Sequence, residues 1–195
     1  MTREEAYKLM TKMLQSKNLQ KHGLAVEAIM RELCKYLKLK NPELPLEEFD
    51  EEEWAIVGLL HDADYELVAK DLSKHTLVTE EKLRALGGAS ERLINGIKAH
   101  HEGVKTSRDN LMEKSVYAAD ELSGLITAVA LVRPDKKLSS VTVDSVMKKF
   151  TQKGFAAGAH RGQILACEKE LNIPLEEFVS IALKAMQGIS DELDL

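Results

Sequence analysis

Residues 51–62 read Glu51-Glu52-Glu53-Trp54-Ala55-Ile56-Val57-Gly58-Leu59-Leu60-His61-Asp62. Acids directly ahead of an apolar run suit a helix N-terminus, where carboxylates meet the positive end of the backbone dipole. Asp50, with Glu53 three residues on, forms a plausible capping pair. The run from Trp54 to Leu60 then delivers an imidazole and a carboxylate, His61 and Asp62, at the end of an apolar helix.

Outward from this helix almost every segment keeps a 3.6-residue period, and no stretch alternates in the manner of a strand, so the fold is expected to be all-α. Upstream, Thr2 to Gln15 reads as a helix with Tyr7, Met10 and Leu14 on one side. A second helix runs from about Gln20 to Leu39, with Leu24, Ile29, Leu33 and Leu37 as its buried stripe, and Asn41-Pro42 and Pro45 break the chain after it. Downstream of Asp62 a mostly loop-like stretch holds His75. Thr79 is expected to cap a short helix ending at Gly87-Gly88, and Ser90 one that delivers His100 and His101. Ser107 or Asp109 is expected to cap the longest helix, through Asp120 and Leu125 to Val132, which Pro134 stops. Three further helical stretches follow, at Val143 to Phe150, Phe155 to Leu171 and Pro174 to Gln187. The stripe Phe178, Ile181, Ala182 and Ala185 reads as core packing. Residues 1–133 are taken as the core and 134–195 as a helical extension packed on it, within one domain.

The 195 residues carry 27 Lys and Arg against 32 Asp and Glu, a net charge of −5, which argues against a surface built to wrap nucleic acid. Cys34 and Cys167 are too few and too far apart for a disulfide framework and read as reduced thiols. The chain opens Met-Thr-Arg-Glu-Glu without the apolar region of a secretory signal, and its longest apolar stretch, Gly124 to Val132, is about half of the roughly 20 residues a membrane span needs. A soluble, cytoplasmic protein is expected.

The histidines fall in a telling order: His22, then His61-Asp62, then His75, then His100-His101, with Asp120 in an apolar segment downstream. Imidazole nitrogens mixed with carboxylate oxygens suit Fe, Mn, Co, Ni or Zn better than Mg or Ca. Asp120 lies among Ala118, Ala119, Leu122 and Leu125, where an uncompensated charge would cost several kcal/mol.

The order His, His-Asp, Asp resembles the HD-domain superfamily of metal-dependent phosphohydrolases, over roughly Asn18 to Val132. The resemblance implies an HD-like helical bundle in which His22, His61, Asp62 and Asp120 hold one divalent transition metal. His75 and His100-His101-Glu102 resemble the extra ligands of the two-metal branch that includes the HD-GYP phosphodiesterases. There Asp62 would bridge two metals, with His75, His100 and His101 completing the second; the alternative is one metal, with those histidines lining the pocket. Adjacent helical side chains diverge by about 100°, so His100 and His101 both serve only if the helix ends there, as Gly103 allows. The segment Ala118-Ala119-Asp120-Glu121-Leu122, then Gly124-Leu125-Ile126, is similar to a small group of uncharacterised HD hydrolases.

The chain also departs from the pattern. Where many two-metal members follow His-Asp with an apolar residue, Gly and Lys, it has Ala63, Asp64 and Tyr65, and no GYP segment follows Glu102. The activity implied is hydrolysis of a phosphomonoester or phosphodiester of a nucleotide or other small phosphorylated metabolite, with metal-activated water as nucleophile. A di-iron oxygenase and an inactive ligand-binding module are the alternatives. Asp62 and Asp64 are the catalytic candidates, Asp64 as general base or as a partner orienting a ligand, and Glu66 shares that choice. Of two basic concentrations, Lys148, Lys149, Lys153 and Arg161, and Arg133, Lys136 and Lys137, Lys153 and Arg161 are the candidates for substrate phosphate.

Overall fold

The apolar run ending in His61-Asp62 lies at the centre of the molecule. The structure is a computed structural model that describes residues 1–69 and 71–195, and among the described residues there is no strand. In chain order the helices are α1 (Arg3–Met13), α2 (Lys17–Lys40), α3 (Glu51–Leu60), α4 (Tyr65–Val68), α5 (Leu77–Leu86), α6 (Glu91–Ala99) and α7 (Leu111–Leu131), then α8 (Val143–Phe150), α9 (Arg161–Ile164), α10 (Ala166–Glu170), α11 (Leu175–Gln187) and α12 (Ser190–Leu193). Asp50 caps α3 by accepting the Glu52 and Glu53 N–H groups, and every residue from Trp54 to Leu60 is buried. A helix apolar on all sides needs neighbours on all sides. Here α1, α2, α6 and α7 surround it.

The contact between α2 and α3 depends on two glycines. A Cβ on Gly58 would lie 2.7 Å from the Val26 carbonyl oxygen, and one on Gly23 would lie 2.9 Å from that of Leu59. The two backbones therefore touch, which Gly alone permits. Gly23 follows His22 and Gly58 precedes His61 by one turn, so the same contact brings the two imidazoles together.

Helix α7 packs along α2, α3 and α6, and the later helices complete its enclosure, with α8 to α11 against α7 and α11 and α12 against α2. One cluster of buried apolar side chains runs from Ala6 to Leu193, and within α11 Phe178 and Ala182 are fully enclosed. Cys34 and Cys167 are free and buried, and burial pushes each thiol up to about 12. Among the described residues no helix is long and apolar enough to cross a membrane.

Some local expectations are corrected. Helix α2 starts three residues early because Ser16 caps it through the Leu19 N–H, and its 24 residues exceed the 21 of α7. Asn110, rather than Ser107 or Asp109, caps α7 by accepting the Glu113 N–H. Tyr7 lies at the exposed edge of α1. The stretch from Phe155 to Leu171 is not one helix: turns occupy it as far as α9, with Ala156 at φ 43°. The loop-like reading ahead of His75 includes Lys70, which lies outside the described residues; around it α4 and a 3-10 turn, Leu72–Lys74, are helical.

Candidate metal centre

Three helices meet at a first group of donors. Helix α2 supplies His22, the end of α3 supplies His61 and α7 supplies Asp120, with ligand atoms all within 4.8 Å of one another. The Nε2 atoms of His22 and His61 are 3.1 Å apart, and Asp120 Oδ1 lies 3.0 Å from His22 Nε2 and 3.5 Å from His61 Nε2. A second group joins Asp62 to His75 and His100 at the same spacing. Asp62 Oδ1 is 3.1 Å from His75 Nε2 and 3.4 Å from His100 Nε2, and those two nitrogens are 3.0 Å apart. Its other oxygen, Oδ2, faces the first group, 3.6 Å from His22 Nε2 and 3.7 Å from His61 Nε2. Asp62 therefore stands between the groups and turns one oxygen toward each.

The far side of each ring fixes which nitrogen points inward. His61 Nδ1–H donates to Gly58 O at 2.7 Å, His100 Nδ1–H to Ile97 O at 2.6 Å and His75 Nδ1–H to Asp64 Oδ1 at 2.7 Å. Ser123 Oγ–H donates to the Asp120 carbonyl at 2.9 Å, so its oxygen accepts from His22 Nδ1–H at 3.0 Å. With each Nδ1 holding the proton, all four Nε2 atoms present lone pairs inward, the arrangement that orients metal-bound histidines.

The field in the centre favours positive charge. Burial opposes protonation of His61, but Asp62 and Asp120 outweigh it and raise the imidazole to about 9. Burial likewise opposes His75, and Asp62 and Asp64 raise it to about 9. The Asp62 and Asp120 carboxyls lie well below the usual range despite burial, held there by the surrounding imidazoles. Four converging imidazoles and two ionised carboxylates fit borderline divalent cations such as Fe, Mn, Co, Ni or Zn, and fit Mg or Ca poorly.

Asp64 is wholly buried and does not line the cavity above the centre. Besides the His75 ring, its Oδ1 accepts the Thr76 N–H at 3.0 Å and its Oδ2 the Thr79 N–H at 2.9 Å. These donors outweigh burial and lower its pKa. Asp64 thus caps α5 from a distance and orients the His75 ring, and it does not face the cavity as a general base would. Thr79 lies inside α5, and Thr76 precedes the helix at φ 70°. Glu66 accepts the Gln15 and Ser16 N–H groups, at 2.6 and 3.0 Å, and so ties down the α1–α2 connection.

A cavity of about 1010 Å³ opens over both groups. His101 lines it but belongs to neither group: its Nε2–H donates to Leu72 O at 3.1 Å, because His100 keeps helical backbone angles after α6 ends at Ala99 and the adjacent ring still diverges from it. Lys153 is exposed and does not line the cavity. Arg161 does line it, but its guanidinium donates to the carbonyls of Ala156, Ala159 and Phe155 at 2.6, 2.7 and 2.5 Å, and to that of Phe150 at 3.4 Å. Both expected phosphate contacts are thereby corrected, since Arg161 is spent on shaping the loop before α9. That loop forms one wall, and His160, exposed there, donates its backbone N–H to Glu121 Oε2 at 3.0 Å. Burial and the charge of Asp120 raise the Glu121 carboxyl. Opposite, Tyr117 O–H donates to Glu102 Oε1 at 2.6 Å, so Glu102 faces the cavity mouth rather than a ligand histidine. Ser123 was not singled out in the sequence, although its place one turn after Asp120 sets it on the same face of α7.

An all-α bundle with two adjoining His/Asp groups at its centre is compatible with a metal site. The HD domain family model matches residues 19–125, more than half of the chain, and the chain belongs to that family. Its members are typically metal-dependent hydrolases. No curated protein and no solved structure matches the chain significantly.

Proposed function

We propose that the protein is a metal-dependent phosphohydrolase that cleaves a phosphomonoester or phosphodiester of a nucleotide or other small metabolite. The observation that carries this reading is Asp62, with one oxygen toward His22 and His61 and the other toward His75 and His100. On this reading His22, His61 and Asp120 would hold one cation and His75 and His100 a second, and Asp62 would offer one oxygen to each. Bound divalent ions at such a site supply charge to the phosphoryl oxygens and lower the pKa of water toward neutrality. The protein's part is positioning. Ser123, Gly58, Asp64 and Ile97 hold the four rings in one tautomer, and the loop fixed by Arg161 walls the cavity so that an ester is presented to the centre.

The di-iron oxygenase alternative rests on the same nitrogen-rich donor set. Elemental analysis of protein purified without chelator, followed by assays with and without dioxygen, separates the readings. About two equivalents of metal and phosphate release under anaerobic conditions are expected. Substrate-dependent oxygen uptake without phosphate release would replace hydrolysis by oxygenation, and tight ligand binding without turnover on any metal would leave a binding module.

A further inference from the structure

Gly124 lies in the interior of α7, one turn after Asp120 and on the same face of the helix. Glycine weakens a helix interior relative to alanine, so its presence there calls for a physical reason. The glycines inside α2, α3 and α6 have one. A Cβ would lie 2.9 Å from the Leu59 carbonyl oxygen at Gly23, 2.7 Å from that of Val26 at Gly58 and 2.8 Å from Val57 Cγ2 at Gly96. At Gly124 nothing beyond its own helix and chain neighbours lies within 4 Å of the place a Cβ would take. Nor does the backbone require glycine, since φ is positive only at Gly87 and Gly88 among the described glycines. The open space belongs to the cavity over the metal groups, which Gly124 lines. Packing and conformation thus leave Gly124 unexplained, and room for a ligand explains it.

The rest of the wall indicates what that ligand is made of. Its polar side chains are engaged within the protein: Arg161 with backbone carbonyls, Gln163 with the Tyr117 carbonyl, the Tyr117 hydroxyl with Glu102, and Glu121 with the His160 N–H. Glu102 also faces the Arg108 guanidinium at 3.6 Å. What the wall leaves open to a ligand is apolar. Leu19, one turn before His22, borders the cavity on the first half, and Tyr65, whose ring stands edge-on to His75, borders it on the second together with Leu72. Tyr65 and Leu72 are 43% and 44% exposed, apolar surface that an organic group held over the centre would cover.

Resting on the hydrolase reading above, we infer that the substrate is a phosphoester with a bulky apolar or aromatic organic half, which lies against Leu19, Tyr65 and Leu72, and that Gly124 sets the size of that half by leaving the wall beside Asp120 bare.

The test uses the full chain loaded with manganese, with binding followed by titration calorimetry and phosphate release in parallel. The probes are inorganic phosphate, glycerol phosphate and 1-naphthyl phosphate, which share the anion and differ in the group attached to it. Naphthyl phosphate should bind at least about tenfold more tightly than glycerol phosphate, because only its rings cover the apolar wall. Gly124→Ala meets no neighbour and improves the helix, so it should raise the melting temperature by roughly 1–4 °C. Gly124→Leu fills the open space and should weaken naphthyl phosphate at least about tenfold more than inorganic phosphate. Equal weakening of the two ligands, through loss of metal or otherwise, would overturn the inference. So would glycerol phosphate binding as tightly as the naphthyl ester, or a lower melting temperature in Gly124→Ala, which would show that packing demands the glycine. Absence of phosphate release, with these binding preferences intact, would count against the hydrolase reading alone.

Discussion

The two halves of the centre are built from the same chemistry on different supports. His22, His61 and Asp120 stand on α2, α3 and α7, where two backbones touch through Gly23 and Gly58 and the surrounding side chains are apolar. His75 stands between a 3-10 turn and α5, next to Thr76 at φ 70°, a conformation that a β-branched residue adopts only when its surroundings impose it. Here the imposing group is Asp64, whose carboxylate collects the His75 ring and the Thr76 and Thr79 amides. One half is therefore positioned by the core, and in the other His75 is positioned by a single buried carboxylate while His100 stands at the end of α6. That difference predicts unequal cation affinities, and variants can break the two halves apart.

The largest effect should come from Asp62→Asn, because Asp62 alone serves both halves. Removing an outer partner of a ligand typically costs about 10–100-fold in metal affinity, so replacing the shared ligand should cost more than about 100-fold at both positions, with turnover lost as well. Elemental analysis after dialysis reads this directly. Retention of wild-type metal content and turnover would sink the assignment of Asp62 to both halves.

Gly58→Ala should follow, acting through the first half alone. Its methyl would collide with the Val26 backbone at 2.7 Å, and backbone cannot rotate away as a side chain can. Overpacking of this kind costs about 1–3 kcal/mol. For a chain of this size the melting temperature should fall by roughly 2–4 °C per kcal/mol. The separation of α2 from α3 should also weaken the His22/His61 position while the His75/His100 position keeps its metal. An unchanged melting curve would show that the two helices cross more loosely than the geometry indicates.

The same contrast explains what could be read from the residues. The apolar run from Trp54 to Leu60, the caps at Asp50 and Ser90 and the stripe of α2 are local patterns, and the all-α fold follows from them. The family model then matches the segment that holds the ordered His and Asp residues. The sequence offered two roles for Asp64, general base or partner of a ligand, and could not choose, because the choice depends on the chain reversing at Thr76 so that residues 12 and 15 positions later bring their amides back to it. The cap of α7 was misplaced because Ser107, Asp109 and Asn110 all have capping side chains within four residues, and only the backbone selects Asn110. Arg161 could be seen as a cation, but its partners are backbone carbonyls, which no residue pattern announces.

Asp64→Asn should act on the second half only. The amide keeps the shape but replaces one acceptor oxygen by a donor, so one of the His75, Thr76 or Thr79 hydrogens loses its partner. Leaving a buried donor unsatisfied costs about 1–3 kcal/mol, and misorienting His75 should weaken its cation by about 10–100-fold. Metal content should fall from about two equivalents toward one, with the His22/His61/Asp120 position still filled. Loss of both equivalents together would show that the halves are not independently supported.

The smallest effect should come from His101→Ala, and its interest lies in the contrast with its neighbour. Both side chains follow α6, but His100 points its Nε2 at Asp62 while His101 gives its Nε2–H to the Leu72 carbonyl. His100→Ala should therefore remove one equivalent of metal. His101→Ala should remove none and lose one partly exposed hydrogen bond, about 0.5–1.5 kcal/mol at most. Equal metal loss in the two variants would mean that the backbone after Ala99 rearranges around a cation to bring both rings in, and the second group would then be larger than its present geometry. Residue order alone could not separate these outcomes, since adjacent histidines share every local signal; the helical backbone angles that His100 keeps beyond Ala99 are what turn the two rings apart.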